Sequence, residues 1–346
     1  MRKKALTLII IIVLIFPSTI NSGIINLHSA ENKIKVVSTL ELYASIAEYI
    51  GNGFIDTDYI LPEGADPHDY SLTPGDIEKI ESADLLMLAN SDFFTLEKNM
   101  LSHYSGTILD FDDYSKYNLT IISLAGLGKN YHGYWIYPDN ALAIAKAVHD
   151  KLVLLDPAHR DIYDSNLERF VDGIYRLKSL LYRVALDNNI YGVGAVIAVP
   201  GAAYLAVAFG LKIEASLLKG PGSFVNSNEL NQIYQKAHDG LIKLILCPES
   251  LRNGKPGEIS RQLSQDTGLP VIYVRVFSMY GLKDYFALMT YNAGALSNAE
   301  KVSSKASEED FFIWYLISIG ILFSIVIVES IMIFLYKRRA EEVWVE

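Results

Sequence analysis

Apolar and polar residues alternate along the chain in a way that predicts short buried strands separated by helices. Lys33–Ser38 is predicted as a strand, and helical spacing of apolar residues begins directly after it, at Leu40. Thr73 and Pro74 are residue types preferred at the N-cap and at the first helical position, so a helix is predicted there. Leu85–Ala89 is a second short apolar run. Strands that alternate with helices at this pitch indicate an α/β fold.

The middle of the chain has a different pattern, which is helical almost throughout. It runs from Pro138 to about Asn188 and is interrupted at Asp156, which is followed by a proline and is predicted to cap the next helix. The second helix, from Ala158 to about Leu186, is too long for an ordinary crossover helix. Strands then return, at Val193–Val199, Leu211–Ser216, Leu241–Cys247 and Val271–Val276. The predicted fold is therefore α/β, with two globular lobes joined by one long rigid helix.

The N-terminus has the layout of a secretory signal. Arg2, Lys3 and Lys4 precede an apolar run from Leu6 to Phe16, which small and polar residues follow. A signal peptide over residues 1–30 is predicted, and an uncleaved N-terminal anchor is the alternative.

The C-terminus has the pattern of a membrane anchor. Phe311–Tyr336 carries a single charge, Glu329, and is long enough for a helix that crosses a bilayer. Basic residues follow it directly, and the positive-inside rule places such residues in the cytoplasm. The predicted localisation is therefore the cell membrane, as a single-pass protein with its ectodomain outside.

These patterns divide the chain into seven predicted segments. They are a signal peptide at 1–30, an N-terminal α/β lobe at 31–137, a helical connector at 138–188, a C-terminal α/β lobe at 189–300, a linker at 301–310, a transmembrane helix at 311–336 and a cytoplasmic tail at 337–346.

Composition removes several classes of function. The formal net charge of −10 disfavours nucleic acid as a partner. The single cysteine, Cys247, excludes an intrachain disulfide and is predicted to be a buried, inert thiol. Asn118 begins an N-glycosylation sequon in the part predicted to be exported. No G-x-S-x-G, P-loop or H-E-x-x-H motif occurs, so no enzyme activity is predicted.

Three places along the chain carry candidate chemistry. His68 follows an apolar strand and lies in a proline-containing turn, where it is either a metal ligand or an exposed turn residue. His132 lies in an aromatic-rich loop that is either a pocket wall or a packed hinge. The third place is a set of cleft candidates at or near strand ends: Glu214, Glu249 and Arg275.

Two stretches resemble the metal-binding solute receptors of zinc and manganese ABC importers, the cluster 9 family. They are LPEGADPHDYSLTPGDIEKIESADLLML and HGYWIYPDNALAIAKAVHDKLVLLDPAHRDIYDSNLERF. Shorter similarities lie at Ala203–Leu211 and Leu244–Ser250. The resemblance implies two lobes around a ligand cleft, with His68 and His132 as metal ligands. It also implies Zn²⁺ or Mn²⁺ as the transported ligand and an ABC permease as the partner.

The chain departs from the family pattern at two ligand positions. The third position reads Val199, and the fourth, an Asp in the family, falls on Arg275. Because a zinc site needs about four ligands, two histidines leave half of the shell to water. A guanidinium at the fourth position would repel a divalent cation and suit an anion instead. Alternatively, Arg275 turns outward and Glu214 or Glu249 supplies a carboxylate.

The sequence therefore predicts an extracytoplasmic receptor that delivers a divalent metal ion to an ABC importer. Two alternatives use the same scaffold. One is a receptor that has lost metal and binds another small solute through Arg275 and a Tyr-rich cleft. The other is a surface interaction protein without a ligand.

Overall fold

Two four-stranded sheets and the helices packed on them make up the part of the chain that the computed structural model describes. That part comprises residues 33–65, 67–220, 222–298, 315–317, 319–321, 323–324 and 327. Its strands are β1 Ile34–Ser38, β2 Ile55–Tyr59, β3 Leu85–Met87, β4 Thr107–Leu109, β5 Ser123–Leu124, β6 Gly128–Lys129, β7 Gly194–Ile197, β8 Lys212–Ser216, β9 Leu218–Gly220, β10 Ser223–Phe224, β11 Ile242–Pro248 and β12 Val271–Val274. Its α-helices are α1 Glu41–Gly51, α2 Pro74–Glu81, α3 Thr95–Leu101, α4 Phe111–Ser115, α5 Pro138–Leu155, α6 Arg160–Asp187, α7 Ala203–Ala208, α8 Ser227–His238, α9 Lys255–Thr267 and α10 Tyr285–Ser297.

The two larger sheets repeat one topology. The first has the order β2-β1-β3-β4 and the second the order β12-β11-β7-β8, and all their pairings are parallel. In both sheets the first strand of the set lies between the second and the third. Ligands of open parallel sheets bind beyond the carboxyl ends of the strands, at the point where the strand order reverses. That point lies between β1 and β3 in one sheet and between β7 and β11 in the other. The predicted α/β class is confirmed.

Continuous apolar runs form the central strands because parallel strands are covered by helices on both faces. All residues of β3 and β7 are buried. We call the elements from β1 to α5 the first half of the chain and those from β7 to α10 the second half. One apolar core draws residues from both sheets, and a smaller one lies between β11, α8 and α9 in the second half. The two remaining pairs, β5 with β6 and β9 with β10, are short antiparallel hairpins.

The middle of the chain forms two helices with a break where the sequence predicts it. Helix α5 ends at Leu155, a short 3₁₀ turn spans Pro157–His159, and α6 follows with 28 residues. Asp156 does not cap with its side chain, which accepts hydrogen bonds from His159 Nδ1 and the Tyr163 hydroxyl instead. Helix α6 packs against α1, α5 and α10. Its role as a rigid connector between separate lobes, and the lobe boundaries, stay predictions.

The segments predicted at the two ends of the chain lie largely outside the residues that the structure describes. The signal peptide at 1–30, the linker and the tail lie outside the described residues, as does most of Phe311–Tyr336. Within the residues that the structure describes, no helix is long and apolar enough to cross a membrane. A helical span needs about 20 consecutive apolar residues in one helix.

Candidate metal site

The two predicted histidines, which are 64 positions apart in the sequence, lie side by side. His68 Nε2 and His132 Nε2 are 3.2 Å apart, and the centroids of the two rings are 5.4 Å apart. Their turns come from separate parts of the first half, one after β2 and the other before α5. The structure thus brings the first two candidate ligands together.

The turn that carries His68 leads into a helix with a well-formed start. Thr73 Oγ1 accepts a hydrogen bond from the Asp76 backbone N–H, and the Asp76 carboxylate accepts one from the Thr73 N–H. The Tyr70 hydroxyl also donates to Asp76, at 2.8 Å. Desolvation opposes the charge on Asp76, but these hydrogen bonds outweigh it and lower the pKa of Asp76. The capped helix α2 therefore fixes the end of the His68 turn.

The turn that carries His132 is fixed by contacts with the short 3₁₀ turn Pro200–Ala202, which precedes α7. Asn130 Nδ2 donates to the Pro200 carbonyl at 2.9 Å, and Asn130 Oδ1 accepts from the His132 backbone N–H. Gly133 has a φ of +78°, and a Cβ at this position would lie 2.4 Å from the Gly201 carbonyl oxygen. Only glycine meets both conditions. The close approach of the two backbones therefore requires a glycine next to His132.

Two phenylalanines that the sequence interpretation missed surround the histidine pair. The ring of Phe93 lies 5.0 Å from that of His132, edge to face, and the ring of Phe94 lies 6.0 Å from His68 and 5.8 Å from His132. Both follow β3, at the carboxyl end of the first sheet. Two adjacent aromatic residues in the loop between β3 and α3 were the available signal. They restrict the rotation of the imidazoles.

The spacing of the histidine nitrogens fits a shared metal ion. Two nitrogens at 2.0–2.1 Å from one tetrahedral zinc ion are about 3.3 Å apart, close to the observed 3.2 Å. Val199, at the third ligand position, is buried and has no side-chain donor. Within the described part of the chain, no group of three or more His, Cys, Asp or Glu side chains is placed to hold a metal ion. Among the described residues, the candidate ligands that the structure brings together are the imidazoles of His68 and His132.

Arg275 and Glu249 are paired with each other. Arg275 Nε donates to Glu249 Oε2 at 2.7 Å, and Nη1 donates to the Met279 carbonyl at 3.2 Å. The guanidinium is 3.9 Å from the ring centroid of Tyr291 and 5.0 Å from that of Tyr280. Arg275 is buried, so it does not turn outward as the alternative supposed. Because Glu249 balances its charge, neither residue presents an unpaired charge to the cleft.

The other predicted residues lie apart from the histidine pair. Glu214 on β8 pairs with Lys236 of α8, with 2.8 Å between Oε2 and Nζ. Asn118 lies exposed in a turn after α4, and its glycosylation stays a prediction. Cys247 is buried at the end of β11, and burial raises the pKa of its thiol to about 11, which keeps it protonated.

Two named relatives are similar to this chain in sequence, and a solved structure is similar to it in fold. The manganese ABC transporter substrate-binding lipoprotein PsaA of Streptococcus pneumoniae is 28% identical over 188 residues, which are 51% of this chain and 59% of the relative. The iron ABC transporter substrate-binding lipoprotein MtsA of Streptococcus pyogenes is 24% identical over 298 residues, which are 77% of this chain and 88% of the relative. The periplasmic zinc-binding protein TroA of Treponema pallidum superposes with a TM-score of 0.64 at 20% identity, covering 77% of this chain and 99% of that one.

These comparisons bear on localisation and on family. Both relatives are named as lipoproteins, and this finding contradicts the predicted single-pass localisation at the cell membrane through a C-terminal helix. Residues 36–299 match the family model described as ZnuA, zinc-uptake complex component A, periplasmic. Since the match covers well over half of the sequence, the chain belongs to the ZnuA family of metal-binding ABC transporter components.

Proposed function

We propose that this chain is the substrate-binding receptor of an ABC importer, with Zn²⁺ or Mn²⁺ as its cargo and an ABC permease as its partner. The observation that carries the proposal is the 3.2 Å separation of His68 Nε2 and His132 Nε2. Neutral imidazole is the commonest transition-metal ligand in proteins. Membership of the family and relatives named for manganese and iron transport support the same class of cargo.

The chemistry expected of this site is binding and release without catalysis. His68 and His132 supply two imidazole nitrogens to the ion. Phe93 and Phe94 hold the imidazoles in place, so little rotational freedom is lost when the ion binds.

The alternative solute receptor is disfavoured by the state of Arg275. A carboxylate-bearing solute would have to displace Glu249, which already accepts from Arg275 Nε at 2.7 Å and from the Tyr291 hydroxyl at 3.1 Å. Breaking a largely buried ion pair of this kind leaves an uncompensated charge, which is costly.

Metal binding by the full-length chain tests the proposal. After removal of bound metal with a chelator, titration calorimetry with Zn²⁺ and with Mn²⁺ should show one equivalent bound. Thermal stability should rise, by about 2.7 kcal/mol at a free concentration one hundred times the Kd. His68→Ala and His132→Ala should each abolish both effects. His238→Ala is the matched control, because His238 is exposed at the end of α8.

Two results would contradict the proposal. One is a parent chain that binds neither ion at millimolar concentration. The other is a His68→Ala chain that binds Zn²⁺ and Mn²⁺ as the parent does, since the imidazole pair would then not be the site.

A further inference from the structure

The segment 275–283, which follows β12 in the second half, docks on parts of the first half that build the metal site. The Tyr280 backbone N–H donates to the Glu63 carboxylate. Lys283 Nζ lies 3.2 Å from Glu41 Oε1 at the start of α1. The indole N–H of Trp135, three residues after His132, donates to the carbonyl of Val276, which belongs to the segment.

Segment 275–283 packs closely against the first half. A cavity of only about 20 Å³ remains between it and the first half, roughly the space of one water molecule. Its lining comes from the start of α1, the loop after β2, which includes Glu63, and the segment itself, which contributes Phe277 and Ser278. The loop after β2 is the one that continues to His68.

Arg275 anchors the segment to α10. Its backbone N–H donates to Asn292 Oδ1 and its carbonyl accepts from Asn292 Nδ2, both at 2.8 Å. Its guanidinium bonds Glu249 and lies between the rings of Tyr280 and Tyr291. All of these contacts are made by protein groups alone.

Tyr280 is the residue through which this anchor reaches the first half. Its φ of +52° is unusual for a residue with a side chain. Such a conformation persists where surrounding contacts determine it. Here the ring rests on the Arg275 guanidinium while the backbone N–H points to Glu63. The contact with Glu63 therefore depends on Arg275.

We propose that Arg275 and Glu63 are positioning residues, and that segment 275–283 clasps the loop carrying His68 without help from a metal ion. Glu63 stands five residues before His68 in the same loop. A ligand held in place before binding loses less conformational freedom when the ion arrives. The effect on metal affinity rests on the function proposed above, whereas the clasp itself is a property of the metal-free chain.

Two readouts on the full-length chain test the clasp. The first is hydrogen exchange of the Tyr280 amide after chelation, which should be protected in the parent although the side chain is 68% exposed. Glu63→Ala should remove that protection, and Glu63→Gln should keep it, because the amide retains an acceptor oxygen. Arg275→Ala should remove it as well. Glu258→Ala, which breaks an exposed ion pair on α9, is the control.

The second readout is Zn²⁺ affinity. Glu63→Ala and Arg275→Ala should weaken binding about three- to tenfold, the range expected for one lost hydrogen bond that orders a ligand, and Glu63→Gln should stay within twofold of the parent. Glu63 is exposed, so Glu63→Ala keeps the fold and decides the question even where Arg275→Ala unfolds the chain.

The outcomes separate this proposal from the function. A Tyr280 amide that exchanges freely in the metal-free parent, or one equally protected in Glu63→Ala, overturns the clasp whether or not metal binds. Lost protection with unchanged Zn²⁺ affinity overturns the positioning role. A parent that binds neither Zn²⁺ nor Mn²⁺ refutes the proposed function and the positioning role, and the exchange readout still decides the clasp.

Discussion

At the scale of a single residue, the buried carboxyl group of Glu97 stabilises the turn behind the histidine pair. It is fully buried at the start of α3, and its carboxylate accepts hydrogen bonds from the backbone N–H groups of Ala89 and Asn90, both at 2.7 Å. Those bonds order the turn after β3 that leads to Phe93 and Phe94. Burial nevertheless dominates and raises the pKa of Glu97 from 4.5 to about 7.

The raised pKa of Glu97 makes stability depend on pH with an unusual sign for a carboxyl group. Between about pH 4.5 and 7 the native carboxyl holds its proton while the unfolded one has lost it. The free energy of unfolding should therefore fall as pH rises through this window, with a slope approaching 1.4 kcal/mol per pH unit from this group. Glu97→Gln, which does not titrate, should flatten the slope in urea unfolding measured from pH 4.5 to 7.5. Glu258→Gln is the exposed control, and an identical slope in parent and Glu97→Gln would contradict this prediction.

At the scale of an element, the start of α2 connects local sequence to the site. Thr73 and Asp76 form a reciprocal capping box, and Pro74 occupies the first helical position without loss, because that position needs no donor. The helix has only eight residues, so its own hydrogen bonds provide little stability and the cap contributes a large share.

Removing the N-terminal cap of α2 should slightly lower the stability of the whole protein. Thr73→Ala should lower the free energy of unfolding by about 1 kcal/mol, because the N–H of Asp76 loses its acceptor. Thr73→Ser keeps the acceptor and should stay close to the parent in the same urea titration. A loss for Thr73→Ser as large as that for Thr73→Ala would show that the methyl group, and not the cap, is responsible.

Elements with a strong local signal were predictable from the sequence, and short ones were not. The run Leu241–Cys247 is predicted as a strand and is found as Ile242–Pro248, since a strand covered on both faces is apolar at nearly every position, here at all but the exposed Lys243. The stretch 95–129 carries no predicted helix or strand. It folds into short helices and strands, with β5 and β6 only two residues each, which leave no periodic pattern to detect.

Contacts between distant residues of the candidate metal site were even harder to predict from the sequence. That His68 and His132 belong together followed only from the resemblance to a family, because nothing local links residues 64 positions apart. The pairing of Arg275 with Glu249 was not predicted either. It depends on how β11, β12 and α10 meet, and no pattern within one element records that placement.

At the scale of the whole molecule, α6 contacts helices from both halves of the chain. Phe170, at its centre, is almost completely buried and lies edge to face with Tyr49 of α1, at 5.2 Å between ring centroids. It also contacts Phe286 of α10, at 5.1 Å. Helix α1 belongs to the first half and α10 to the second, so one side chain contributes to the core of both.

Because Phe170 contacts both halves, we predict that one substitution in α6 lowers the stability of both sheets by the same amount. Phe170→Ala should lower the free energy of unfolding by about 3–5 kcal/mol, because it leaves a cavity among rings that cannot close it. Amide protection in β1 and in β7, measured by native-state hydrogen exchange, should fall by the same amount. Tyr175→Ala, on the same helix but 62% exposed, should change both by less than about 0.5 kcal/mol. If β1 lost protection while β7 kept it, the two halves would unfold independently and α6 would belong to only one of them.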